Sequence, residues 1–229
     1  MLAATLIFFG GYAGLFIAPD EKTMHEIQRI FYFHVGLWTA MFTALGLAFV
    51  GNVGWLITRK PRWDWLGVSA VEVGVVCCTG GLITGMLWGK PAWGIWWTWD
   101  ARLTTCFILW LLYVSYLILR GLIEEPGRRA TLSAAFGIFA FLDAPLVYVS
   151  NRLWRGQHPA PVLFGGPDAS LDPRMLKVLM CSMAAMVFVM VTVLVDRYRL
   201  ERLRHEVDEL RVAAETRPVS SGCAAATKS

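Results

Sequence analysis

Six apolar runs, each long enough to cross a bilayer as a helix, constrain this chain more than any other feature. They cover residues 2–18, 35–58, 65–88, 103–119, 130–150 and 178–195. A hydrocarbon core about 30 Å thick needs roughly 20 apolar residues in a helix. In lipid every backbone polar group must be satisfied within the structure, so such runs become helices. Only Glu72 interrupts the third run and only Asp143 the fifth, while Pro19, Arg59, Arg120 and Asp196 close others. The first run lacks a basic leading segment and an Ala-x-Ala site, which reads as a retained span rather than a signal peptide. Charged residues are 17% of the chain and hydrophobic ones 56%, with a mean hydropathy of +0.52. A soluble domain carries about 25% charge, and here much of the charge lies in residues 196–229. A soluble enzyme, a disordered chain and a fibrous protein are excluded on these grounds.

The expected fold class is therefore an all-α integral membrane protein with six transmembrane helices. The expected organisation is a membrane domain over 1–195 and a C-terminal helix and tail over 196–229. Six spans place both termini on one side. That side also holds Arg59, Lys60, Arg62, Arg120, Arg128, Arg129 and the cations of the tail, which the positive-inside tendency assigns to the cytoplasm. The loops 19–33, 89–102 and 151–173 then face outward. In the tail, Leu200, Leu203, Val207 and Leu210 recur at helical spacing, the mark of an amphipathic extension of the sixth span or a short coiled-coil seam. Beyond Thr216 the composition reads as disordered. The net charge of +4 is scattered among spans and tail and implies no nucleic-acid partner. Cys77, Cys78, Cys106, Cys181 and Cys223 form no Cys-x-x-Cys. They read as small apolar side chains rather than a metal or dithiol site.

The outward side concentrates unusual residues. Trp88, Trp93, Trp96, Trp97 and Trp99 fall within one short segment, with Gly89 and Gly94 between them and Asp100-Ala101-Arg102 closing it. Trp favours membrane interfaces, but a belt needs one or two rings per helix end. Flat indole faces suit a large planar apolar ligand. His34 and His158 lie at the same level, beside the second and after the fifth span. Imidazole is a common axial ligand of heme iron, and Lys90, Arg102, Arg152 and Arg155 offer cations to propionates. Heme held by two histidines and structural histidines both remain open from chemistry alone. His25, in the charged stretch Glu21–Glu26, reads as solvated.

The segment from Trp88 to Thr104, ending Trp99-Asp100-Ala101-Arg102-Leu103-Thr104, resembles the tryptophan-rich signature of cytochrome c assembly proteins in the form used by the CcmC family. Arg29–Val35 resembles that family's first histidine motif and Tyr148–His158 its second. The resemblance covers roughly residues 1–195. Gly36 stands where the family usually has Pro, and Gln157-His158-Pro159 where it usually has Leu-His-Gln. The resemblance implies an inner-membrane protein that binds heme b as cargo at the outer face and delivers it to the heme chaperone CcmE, with CcmD and the ABC transporter CcmAB as further partners. It implies His34 and His158 as axial ligands of the iron, and Trp88, Trp93, Trp97, Trp99, Asp100 and Arg102 as the heme-contacting set. It implies a delivery or transport role rather than an enzyme. Two other classes stand beside it: a cytochrome b-like electron-transfer subunit, with paired histidines deep in the spans, and a solute permease subunit with incidental tryptophans. Glu72 and Asp143 are expected to line a path, pair with each other, or lie near span ends.

Overall fold

A computed structural model describes residues 5, 11–20, 24–154, 156, 158 and 171–215. Among them the chain is helical, with α1 Ile30–Thr58, α2 Pro61–Trp93, α3 Ala101–Leu122, α4 Pro126–Phe141, α5 Asp143–Leu153 and α6 Pro173–Glu215. A π-helical turn, Ala13–Ile17, and a 3-10 turn, Glu26–Arg29, precede α1. Five helical stretches are long and apolar enough to cross a membrane, α4 and α5 counting as one. Residues 2–4 and 6–10 of the first apolar run lie outside the described residues, so that run is not among these five.

The helices start and stop where local chemistry dictates. Arg59 in the left-handed region (φ 57°) returns its N–H to the Trp55 carbonyl and ends α1. Pro61 opens α2 at the position where a missing N–H costs nothing. Gly94, at φ 78°, ends α2 as a left-handed cap. Asp100 caps α3 by accepting from the Leu103 N–H at 2.9 Å, and the Glu125 carboxylate caps α4 through Gly127 and Arg128. The fifth run breaks at Leu142 between α4 and α5. Pro145 is the physical cause, because its ring would clash with the Phe141 carbonyl one turn back.

The core runs along the bundle axis. Met41, Ala44, Leu45 and Ala48 of α1 meet Ala70 and Val71 of α2, Leu109 and Tyr113 of α3, Val147 of α5 and Met190 of α6. α1 and α2 approach most closely at two glycines: a Cβ on Gly51 would stand 2.6 Å from the Gly67 nitrogen. Small residues at such crossings let helix backbones touch, the usual basis of packing between helices in lipid.

The helices reach further than the apolar runs. α1 starts at Ile30, so His34 lies in its second turn, inside the helix rather than ahead of it. α2 carries Trp88 and continues through Pro91 to Trp93, leaving residues 94–100 as the connection to α3. α6 runs without a break past Val195 to Glu215, so the boundary drawn at 195 is a change of composition within one helix. Glu72 and Asp143 do not pair. Glu72 accepts from Arg197 Nε of α6 at 2.6 Å. Asp143 opens α5 with its Oδ2 buried and without a hydrogen-bond partner among the described residues.

Candidate functional site

A cavity of about 200 Å³ opens at the end of the bundle that carries the Trp-rich connection. His34, Trp38 and Phe42 of α1 line it at successive turns of one helix face, opposite Gly81, Gly85 and Trp88 of α2. Arg102 and Cys106 of α3, Tyr148 of α5, Leu179 of α6, Trp93 at the end of α2 and His158 complete the wall. The two histidines singled out in the sequence, distant along the chain, thus share one aromatic chamber.

The protonation of His34 follows from its neighbours. Trp38 Nε1–H donates to His34 Nε2 at 3.1 Å, and an indole nitrogen can only donate. Nε2 therefore carries a lone pair. The other ring nitrogen, Nδ1, lies 3.0 Å from Thr84 Oγ1. The Thr84 hydroxyl directs its own proton to the Gly80 carbonyl at 2.8 Å, so its oxygen accepts the Nδ1–H. The imidazole is neutral and its tautomer fixed, the arrangement that prepares Nε2 for a metal. The rings fit because α2 presents no side chain beneath them. A Cβ on Gly85 would stand 3.1 Å from His34 Cε1, and one on Gly81 would stand 2.9 Å from Trp38 Cε2.

Aromatic edges enclose the imidazoles. Trp88 meets His34 at 5.8 Å between centroids and Phe31 at 5.9 Å, both edge-on. Trp93 meets His158 edge-on at 6.3 Å. Trp88 Nε1 is buried with no hydrogen-bond partner among the described residues. Arg102 reaches the Asn151 side-chain oxygen at 3.3 Å and the Val147 carbonyl at 3.4 Å. These long contacts hold its guanidinium at the cavity wall while leaving other N–H groups for an anion.

The tryptophan segment divides. Trp88 and Trp93 line the cavity, whereas Trp97 and Trp99 are not among its lining residues. They pack around Phe107 of α3 at 6.2 and 6.3 Å and against each other at 5.7 Å. Trp99 remains 73% exposed. Asp100 works as the α3 cap, held also by Thr98 Oγ1–H at 3.0 Å. Among the other cations, Lys90 donates to the Gly94 carbonyl and Arg152 lies over the Tyr148 ring. Arg155 falls outside the described residues. His25 is exposed and is not among the lining residues.

Trp38, Thr84, Gly81 and Gly85 are site residues that sequence reasoning missed. The signals were present: Trp38 follows His34 by one turn, and Gly81 and Gly85 repeat at helical spacing around Thr84. At the opposite end of the bundle a second cavity of about 520 Å³ is lined by charged residues of α2, α3, α4 and α6. Much of that charge is internally matched, through Asp64–Arg120, Glu72–Arg197 and Glu201–Arg204.

The fold and the site together define a polytopic α-helical membrane protein with a largely apolar chamber at one end. That chamber presents a metal-competent imidazole, a second histidine, indole walls and one guanidinium. The chain belongs to the CcmC family: residues 1–213 match the family model described as heme exporter protein C. It is 32% identical over 222 residues to heme exporter protein C of Bradyrhizobium diazoefficiens, covering 95% of this chain and 83% of that one. It is 30% identical over 226 residues to heme exporter protein C of Escherichia coli K12, covering 91% and 86%. A putative ccmC-like mitochondrial protein of cytochrome c biosynthesis from Marchantia polymorpha is 29% identical over 148 residues, covering 64% and 62%.

Proposed function

We propose that this protein binds heme b as cargo in the chamber around His34 and His158, and delivers it to the chaperone CcmE in c-type cytochrome biogenesis. The observation that carries this reading is the placement of both imidazoles in one aromatic cavity, with the His34 tautomer set so that Nε2 bears the lone pair. Two imidazoles suit an iron that must be held and then surrendered. Trp88 and Trp93 supply ring surface for the macrocycle. Arg102 offers its guanidinium to a propionate. The chamber's about 200 Å³ falls below the roughly 300–1,000 Å³ of pockets that enclose a drug-sized ligand. Part of a heme would then lie inside and part outside, where a chaperone can meet it. Trp97 and Trp99, outside the chamber and beside α3, supply the aromatic surface for that outer part or for the chaperone itself.

The family and the matched relatives support this reading over a solute permease. Placing His34 inside α1 brings it nearer to a cytochrome b arrangement, but His158 lies beyond α5, and paired in-span histidines are not among the cavity residues. The proposed setting is the bacterial inner membrane with the chamber at the outer face and both termini cytoplasmic. CcmD and CcmAB are the proposed further partners. The test is absorption spectroscopy of detergent-purified protein. His34→Gly and His158→Gly should each lose most of a low-spin heme spectrum, with partial recovery on adding imidazole, while His25→Ala keeps it. Wild-type spectra from both glycine variants would remove the assignment.

A further inference from the structure

His34 Nε2 accepts the indole N–H of Trp38 at 3.1 Å, one helical turn along α1. Nδ1 is committed to Thr84, so Nε2 holds the only lone pair in the imidazole plane that this ring can give to a metal. One lone pair serves either an N–H or an iron. We propose that Trp38 is a built-in competitor for the His34 ligand position, whose N–H takes Nε2 as iron leaves and so sets how readily heme is released. This rests on the heme-binding reading above and assigns Trp38 a role within it.

The exchange balances without a proton moving. The Fe–Nε2 coordinate bond forms as the Nε1–H···Nε2 hydrogen bond breaks, and the reverse occurs on release. The imidazole stays neutral and Nδ1–H stays on Thr84 throughout. The competitor costs little to hold in place, because both partners sit on the same helix face and Gly81 clears the space beside the indole. A Cβ there would stand 3.1 Å from Trp38 Nε1 itself. A cargo protein benefits from such a competitor. Two imidazoles alone would hold iron tightly, and a stand-in donor stabilises the state in which the cargo has gone, lowering affinity without weakening the ligand.

The test uses full-length protein in detergent and Trp38→Phe, which keeps an aromatic ring and removes the N–H. Heme binding and transfer to excess soluble apo-globin are followed by absorbance, and iron-free protoporphyrin IX is titrated in parallel by fluorescence. Trp38→Phe should bind heme about three- to tenfold more tightly and release it correspondingly more slowly, the worth of one hydrogen bond. Its affinity for iron-free porphyrin should not change, since no metal then competes for Nε2. Unchanged or weaker heme binding, or an equal shift for both porphyrins, overturns the proposal and leaves Trp38 as a packing residue. In protein prepared without heme, diethylpyrocarbonate should acylate His34 faster in Trp38→Phe than in wild type, with His34→Gly as the blank. That arm separates the two readings: faster acylation with no heme binding by any variant removes the heme-binding function while the Trp38–His34 contact stands. Should Trp38→Phe fail to accumulate, Gly81→Ala displaces the indole by sterics and must shift heme affinity in the same direction.

Discussion

Glu72 of α2 and Arg197 of α6 form an ion pair across the bundle, with Arg197 Nε donating to Glu72 Oε2 at 2.6 Å. Glu201 lies 3.8 Å from the same guanidinium. The pair ties the first half of α2 to the turn of α6 just beyond its apolar run. Removing the cation alone would leave a partly buried carboxylate in the charged cavity without its partner. Arg197→Met should destabilise the protein by about 2–3 kcal/mol. The double variant Glu72→Gln, Arg197→Met should recover about half of that loss. Thermal unfolding of detergent-purified protein measures both, and additive losses would show that the pair contributes no coupling.

Thr84 should matter to heme although it cannot touch iron. Thr84→Val removes the oxygen that accepts His34 Nδ1–H and releases the tautomer. Partners of this kind are worth about 10–100-fold in metal affinity, and a loss of about tenfold in heme affinity is expected. Thr84→Ser keeps the oxygen and should stay near wild type. Heme titration of the two variants decides the point.

Gly85 and Gly46 make a matched pair of controls. A Cβ on Gly85 meets His34 Cε1 at 3.1 Å, while a Cβ on Gly46 meets nothing within 4 Å. Gly85→Ala should lower heme content per protein with membrane abundance preserved, because only the imidazole has to shift. Gly46→Ala should leave both unchanged. Immunoblotting of membranes beside heme absorbance in the same preparation reads the two quantities.

The division of the tryptophan segment yields a contrast between retention and transfer. Trp93→Ala removes a ring from the chamber and should weaken heme binding by roughly two- to tenfold, the effect of about 0.5–1.5 kcal/mol of aromatic contact. The double variant Trp97→Ala, Trp99→Ala should retain heme and remain abundant, yet load less heme onto the chaperone. Covalent heme on the chaperone, measured with bound heme in the same cells, distinguishes them. Equal loss of retention in both would place all four rings in one platform.

Orientation is testable with fusions. A reporter active only in the periplasm should be silent when joined after Arg129 or after Arg217, and active when joined within residues 94–99. Activity after Arg129 would reverse the proposed sidedness.

The helical, membrane-spanning character of the chain was legible because apolar length alone dictates it. Helix ends were less so. His34 reads as the edge of a loop because charged Glu26 and Arg29 precede it, yet the 3-10 turn Glu26–Arg29 leads straight into α1. Trp93 reads as loop because of Pro91, which the last turn of α2 accommodates. The partner of Glu72 was hidden for a different reason: Arg197 comes near it only because α6 continues past its apolar run. Gly36, a departure from the family's usual Pro, also has a tertiary explanation. A Cβ there would stand 2.9 Å from Met186 Cγ of α6. His34, His158, Trp88 and Trp93 were legible by residue type and by their shared end of the bundle. Thr84 and Trp38 were not, since a threonine or tryptophan in a span is ordinary until the imidazole beside it is seen.

α6 is a single 43-residue helix, about 64 Å of rod at 1.5 Å per residue, more than twice the apolar thickness of about 30 Å it must cross. Leu179 on this rod forms part of the histidine chamber, and Glu201, Arg204 and His205 on the same rod line the cavity at the other end. No hinge lies between them. A lateral push on the charged end is therefore a lever stroke on the chamber wall at the other end of the rod.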